Sequence, residues 1–359
     1  MPSGGRSGRP RSLRYSSDVA RGYVRRRAGR GFVYRDQRAR RIVDADTLQR
    51  IRALAIPPAW REVWICPDPN GHLQATGRDA RGRKQYRYHP EFRRQRERDK
   101  FGRMREFGEC LPAMRTRLRG GLALAGMPRE RILALVASLL DCTLARVGNR
   151  EYLRSNGSHG LATLRARHAG WEPGGVARLR FRGKSGRMQD LRVDDERLVK
   201  LLRRCQRLPG QALFQYVDDA GQRHAIDSGM VNDYLRDGLG AAFTAKDFRT
   251  WGATRLAVAT LASTPPPEDA AACDAVIVAA IAEVAKALGN TPAVCRASYV
   301  HPLVTDAWRA GALRATRRPT LRMSERLLLA LLRKDERSRA RKTKRREGTG
   351  TRRVRKNPG

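Results

Sequence analysis

The segment PRERILALVASLLDCTLARVGN, residues 128–149, constrains the fold of this chain more than any other. Ile132, Leu135, Val136, Leu139, Leu140 and Leu144 recur at three- and four-residue spacing, the period of a helix with one apolar face. Pro128 suits the start of such a helix, where its missing N–H would be unpaired anyway, and Gly148 suits the end. So long an aliphatic stripe has to be covered, and the chain from His89 onward offers the cover. Further helical patterns follow in EFRRQRERDKFGRMREF, LPAMRTRLRGGLAL, DDERLVKLLRRC, SGMVNDYLRDGL and FRTWGATRLAVATLA. Another helix is expected over about 267–288, stopping at Gly289. Thr291-Pro292 then reads as N-cap and first turn of a short helix that carries Tyr299.

Two regions break the helical pattern. VARLRFR, residues 176–182, alternates apolar and basic residues, GKSG turns, and RMQDLRV returns, which is a β-hairpin signature. Earlier in the chain, GFVYR, EVWIC, HLQAT and KQYRY read as strands around one short helix, with Asp46 as its N-cap. The expected fold class is therefore α+β: a small β-rich N-terminal domain and a mostly α-helical domain with a β-hairpin insertion. The expected boundaries are a flexible basic arm at 1–30, the β-rich domain at 31–90 and the catalytic domain at 91–310. A helical extension at 311–333 and a basic disordered tail at 334–359 complete the chain.

Charge narrows the function. Lysine and arginine exceed aspartate and glutamate by 40 over 359 residues, and residues 42–332 alone carry +19. A folded body with that excess self-repels unless a polyanion neutralises it, which speaks against a small-metabolite enzyme and for nucleic-acid phosphate. The longest apolar run, VIVAAIAEVAKAL at 276–288, is too short to span a bilayer and holds Glu283 and Lys286. Residues 1–30 lack the apolar core of a signal peptide. The six cysteines are scattered, as in a protein of a reducing compartment. The expected location is cytoplasmic and nucleoid-associated.

Several chemistries lack their residues. GKS at 183–185 is no phosphate-cradling loop, because Arg178 stands where the leading glycine would be. Metal-ligand spacings are absent, so the expectation is no metal and no cofactor. Cations, an amide and a tyrosine remain. Fixed arginines can stabilise the charge that builds on non-bridging oxygens in phosphoryl transfer. Tyrosine oxygen can be the nucleophile, and a lysine on a turn can protonate the leaving sugar oxygen.

Four segments combine these parts in order: TLARVGNREYL at 143–153, FRGKSG at 181–186, KDFRTWGAT at 246–254 and LGNTPAVCRASYVHP at 288–302. They resemble the successive active-site blocks of type IB DNA topoisomerases, the bacterial and poxvirus-like small branch most closely. GLATLRARH at 160–168 matches in order too, and GRKQYRYH at 82–89 resembles the base-reading strand of that branch's N-terminal domain. The resemblance covers about residues 30–305.

What it implies is specific. Arg146 and Arg249 would hold the scissile phosphate, Lys184 would be the general acid and Tyr299 the nucleophile. Asn290 stands where many relatives have histidine, and its amide can still donate to a phosphate oxygen. Arg83, Lys84, Gln85, Tyr86 and Tyr88 would contact DNA, with glutamine able to read adenine; Tyr152 and Lys246 would support the phosphate and backbone. The two domains would close as a clamp on double-stranded DNA, and the enzyme would act as a monomer. Two alternatives remain at this level. A tyrosine recombinase shares the chemistry, though Lys246 stands where its HxxR pattern has histidine; SERLLLALLRK at 324–334 would be its exchanged element. A DNA-compacting basic protein would explain the charge but not the ordered blocks.

Overall fold

The computed structural model describes residues 13–351 apart from 30, 81, 83, 241, 242 and 316; side chains are described except at 95–100 and from 342 on. Arg83 thus lies outside the described residues. The chain divides into two compact units, Met1–Phe101 and Gly102–Gly359.

The first unit is built on an antiparallel sheet of β1 (Tyr23–Ala28), β2 (Gly31–Arg35), β3 (Arg61–Ile65), β4 (Leu73–Arg78) and β5 (Lys84–Tyr88). The strand order is β2-β1-β3-β4-β5. Helix α1 (Ala45–Ala53) packs Ile51 against Val63, Ile65 and Ala75, with Tyr34, Ile42 and Trp60 at the margin. Its cap is Asp44, which accepts from the Thr47 N–H at 2.8 Å, and not Asp46, which lies in the first turn. The helix starts two residues earlier than expected because Asp44 reaches its third helical N–H. Helix α2 (Pro90–Gly102) follows.

The sequence reading of 1–30 as a flexible arm is corrected for the described part. β1 is the second strand of the sheet, and residues 14–20 before it are tied down at several points. Arg14 N–H donates to Asn70 O at 2.9 Å, Ser16 Oγ to Leu73 O at 3.0 Å, and the Trp64 indole to Ala20 O at 2.8 Å. Within β1, Arg25 is 8% exposed and donates to Ile56 O, Pro57 O and Trp60 O. An arginine in that position serves the fold, which charge counting could not reveal.

The second unit contains α3 (Met104–Ala123), α4 (Arg129–Thr143), α5 (Arg150–Asn156), β6 (Ala169–Glu172), β7 (Val176–Arg182), β8 (Met188–Val193) and α6 (Glu196–Arg207). It continues with β9 (Gln215–Val217), β10 (Arg223–Ala225), α7 (Ser228–Leu239), α8 (Ala245–Leu261), α9 (Ala270–Leu288), α10 (Pro292–Ser298), α11 (Pro302–Arg309) and α12 (Leu321–Thr351). All six residues of the expected stripe are buried, and so are Leu133, Ala134 and Ala137. The reason is that α4 packs on α3, α7, α8, α6 and the β8 and β9 strands, which cover it on every side. It ends earlier than Gly148: Leu144 is the cap, in the left-handed region at φ 55°. The expected hairpin forms with Arg182 opposite Met188, and β6 adds a third strand.

Helix α12 continues beyond Lys334, where the sequence reading ended the ordered chain. Ser324, Leu328 and Leu332 are buried, and ion pairs Arg333–Glu109 and Arg105–Glu336 extend the contact with α3. Glu325 takes a two-pronged ion pair from Arg115 at 2.8 Å and the Trp251 indole at 3.2 Å, and Arg115 also holds Asp141. The segment that a recombinase would exchange is thus bolted to α3, α4 and α8 of its own unit. No helix among the described residues is long and apolar enough to cross a membrane.

Candidate active site

Arg146 sits three residues past the end of α4, in a loop whose backbone is pinned. Leu161 N–H donates to Arg146 O at 2.9 Å and Ala162 N–H to Val147 O at 2.7 Å. This approach requires glycine on both sides. A Cβ on Gly148, which has φ 82°, would lie 2.7 Å from Gly160 Cα, and one on Gly160 would lie 2.4 Å from Gly148 N. The RVGN and GLATL blocks belong together because their backbones touch. The Arg146 guanidinium donates to Asn290 Oδ1 at 2.6 Å.

Arg249 comes from the second turn of α8, whose start is fixed by a capping box between Thr244 and Asp247. It is 3% exposed. Its guanidinium donates to Leu144 O, at the α4 cap, and to Leu288 O at 3.0 Å, near the end of α9. One arginine thereby joins three helices. Burial, and then the charge of Arg146, push its pKa down to about 10. Its Nε and the Asn290 Nδ2 are buried donors with no hydrogen-bond partner. Each such group costs about 1–3 kcal/mol, a cost that functional sites retain when a ligand is the missing acceptor.

Tyr299 ends α10, and the Arg249 guanidinium carbon lies 5.2 Å from its ring centroid. Burial alone would raise its pKa, but the charges of Arg249 and Arg146, a side-chain hydrogen bond with Arg249 and then the charge of Lys184 outweigh burial and hold the phenol below its ordinary value. Lys184 is on the exposed β7–β8 turn, within electrostatic reach of that phenol. Three cations, Arg146, Lys184 and Arg249, and the Asn290 amide thus converge on one tyrosine from separate elements of the chain.

Thr254 is a member that the sequence reading missed. It is fully buried, its hydroxyl lies 3.0 Å from Tyr299 O, and it accepts from the His301 N–H at 3.1 Å. It sits five residues after Arg249 on α8, so one helix supplies both a cation beside the phenol and a tie to the tyrosine backbone. Its only sequence signal was its place at the end of KDFRTWGAT.

The structure gives the other expected residues the following settings. Tyr152 is 64% exposed on α5, and Lys246 is exposed at the start of α8. In the first unit, Tyr86 and Tyr88 share one face of β5 as period two requires, their rings stacked at 6.0 Å. Lys84 pairs with Asp18 at 2.6 Å, and the Gln85 amide donates to Asp79 at 2.9 Å, so both have internal partners in this structure. Among the described residues, no group of three or more histidine, cysteine, aspartate or glutamate side chains is placed to hold a metal ion.

Comparisons with known proteins agree with the geometry. Residues 89–309 match the family model described as eukaryotic DNA topoisomerase I, catalytic core. Residues 31–79 match the model described as bacterial DNA topoisomerase IB, N-terminal domain. A protein of Acanthamoeba polyphaga mimivirus named DNA topoisomerase 1B is 32% identical over 286 residues, which covers 78% of this chain and 85% of that protein. With the catalytic-core match spanning more than half of its length, the chain belongs to the type IB DNA topoisomerase family.

Proposed function

We propose that this protein relaxes supercoiled duplex DNA by reversible transesterification on one strand. Tyr299 Oη attacks the scissile phosphorus in line and its proton leaves to water. The bond from phosphorus to the 5′ oxygen breaks, and that oxygen takes a proton from Lys184 Nζ. The phosphate remains on the 3′ side, linked to Tyr299. The free end swivels about the intact strand, and the 5′ hydroxyl then attacks the phosphotyrosine and reseals the strand.

The single observation that carries this reading is the cluster of Arg146, Arg249 and Asn290 around Tyr299. Cations fixed before the reaction need no reorganisation as charge develops, which is where such sites gain most. The unpartnered Arg249 Nε and Asn290 Nδ2 are donors whose missing acceptor is a non-bridging phosphate oxygen. Because the phosphodiester bond energy is kept in the phosphotyrosine, the cycle consumes no ATP. Because arginines carry the developing charge, it needs no divalent metal. The basic surface binds the duplex with a strong salt dependence, the β-rich unit contributes Arg83, Lys84, Gln85, Tyr86 and Tyr88 to that contact, and Tyr152 and Lys246 approach the backbone near the site. One tyrosine and one duplex suffice, so the working form is a monomer, acting on nucleoid DNA in the cytoplasm.

The test is chemical. Stopping the reaction with detergent and digesting the protein should leave a DNA-linked peptide with the phosphate on Tyr299 and a free 5′ hydroxyl on the other end. An adduct on another residue, or a 5′-phosphate linkage, would contradict the reading.

A further inference from the structure

The Lys184 turn has little burial to hold it. Residues 184–188 are all exposed, and Ser185 adopts φ 61°, a left-handed conformation that non-glycine residues rarely take. Inside the turn there are two backbone bonds, Gly183 N–H to Arg187 O at 2.8 Å and Gly186 N–H to Gly183 O at 3.1 Å. A lysine on such a tip would sweep a wide volume, whereas proton transfer needs a fixed approach.

Arg187, just before β8, and Gln189, within it, join the tip to the end of α9. Arg187 donates from Nη1 to the backbone carbonyl of Asn290 at 3.1 Å. Gln189 lies between two glycines: a Cβ on Gly183 would come within 2.8 Å of its Cγ, and one on Gly289 within 2.5 Å of its amide nitrogen. Gly289 is the left-handed cap of α9, at φ 61°. The Gly289–Asn290 corner that receives both side chains also places the Asn290 amide, which accepts from Arg146.

We propose that Arg187 and Gln189 are positioning residues that latch the Lys184 turn onto the Gly289–Asn290 corner. The latch gives the proton donor and the Arg146–Asn290 pair one common anchor. This inference rests on Lys184 being the general acid of the proposed reaction, and it deepens that reading by naming what aims the acid.

The experiment exploits the leaving group. An alkoxide leaves well only if protonated, whereas a thiolate, with a thiol pKa near 8.5, departs without an acid. Single-turnover cleavage would be measured with the full chain on a duplex whose site has been mapped with the wild type. The scissile linkage carries either the natural 5′ oxygen or a bridging 5′ sulfur. Lys184→Ala should slow cleavage of the oxygen substrate by about 10²–10⁴-fold, the range of general-acid effects, and sulfur should restore most of it. Arg187→Ala should slow the oxygen substrate by about tenfold, the loss of one charged hydrogen bond; Gln189→Ala, which removes packing against Gly183 and Gly289, should slow it by a smaller factor, and sulfur should abolish both defects. Duplex affinity, measured in a Tyr299→Phe background, should change by less than about twofold, a difference well under 1.4 kcal/mol. Equal slowing on both substrates, no slowing at all, or a defect explained by weaker binding would overturn the latch. A Lys184→Ala defect that sulfur leaves untouched would overturn the general-acid reading and the latch with it, an outcome distinct from failure of Arg187 and Gln189 alone.

Discussion

The Arg146 guanidinium donates to the Asn290 side-chain oxygen at 2.6 Å across 144 residues of sequence. This bond fixes which way the amide faces, because only its oxygen can accept from arginine. The nitrogen is then left as a buried donor without a well-formed hydrogen bond, beside the Cys295 sulfur. Asn290→Leu removes the acceptor for Arg146 and that donor together. Cleavage should fall about 10²–10³-fold, the usual cost of losing one donor to a developing oxyanion, with duplex affinity nearly unchanged. Asn290→His keeps a nitrogen able to accept from Arg146 and should stay within about a hundredfold of wild type, near 2.7 kcal/mol. Single-turnover cleavage and equilibrium binding check both.

The pH dependence of cleavage follows from the charges around Tyr299. Burial raises the phenol pKa, but Arg249, Arg146 and Lys184 lower it by more. A lowered pKa means a larger ionised, nucleophilic fraction at any given pH, so the rate should rise with pH and level off below the free tyrosine value of about 10. Arg146→Ala withdraws one of those cations and should move the midpoint to higher pH. A midpoint that stays in place would show that the rise belongs to another group.

Thr254→Val keeps the shape of the side chain and deletes its hydroxyl. The buried His301 N–H would lose its acceptor and Tyr299 O its nearby hydroxyl. Stability should fall by about 1–3 kcal/mol, read by denaturant unfolding. The cleavage rate per folded molecule should fall as well, because the tyrosine backbone loses its tie to the helix that carries Arg249. Thr254→Ser restores the hydroxyl and should recover most of the rate.

Gly160→Ala tests why two sequence blocks travel together. Its Cβ would sit 2.4 Å from Gly148 N and 2.6 Å from Arg146 O, and both obstacles are backbone. The loop that carries Arg146 must shift, at a cost of about 1–3 kcal/mol of overpacking. Thermal unfolding should show the loss, and cleavage should drop more than duplex binding does. An unchanged melting temperature would mean that the close approach has slack.

Much of this molecule was legible in the chain because the signals were local. The stripe from Ile132 to Leu144, the GKSG turn and the Thr291-Pro292 helix start each follow from residues within one element, and each is found in place. The misreadings came from tertiary context. Asp44 rather than Asp46 caps α1 because only its carboxylate meets the Thr47 N–H. Arg14 to Ala28 looked like a charged arm, but the strand pairing of β1 and the burial of Arg25 depend on partners far along the chain. Basic residues after Arg333 hid a helix held by Glu109 and Glu336. Within the candidate site, the residue types that fit phosphoryl transfer could be listed from sequence. Their convergence, the Thr254 tie and the Arg187 bond could not, because each depends on backbone atoms brought together only by folding.

The central claim is tested most directly by plasmid relaxation in EDTA without ATP, wild type beside Tyr299→Phe. The account predicts that the wild type relaxes supercoiled DNA and that Tyr299→Phe binds it with similar affinity and leaves it supercoiled. Relaxation by both proteins would contradict the assignment of Tyr299 as nucleophile, and failure of the wild type while DNA binding persists would contradict the swivelling mechanism itself.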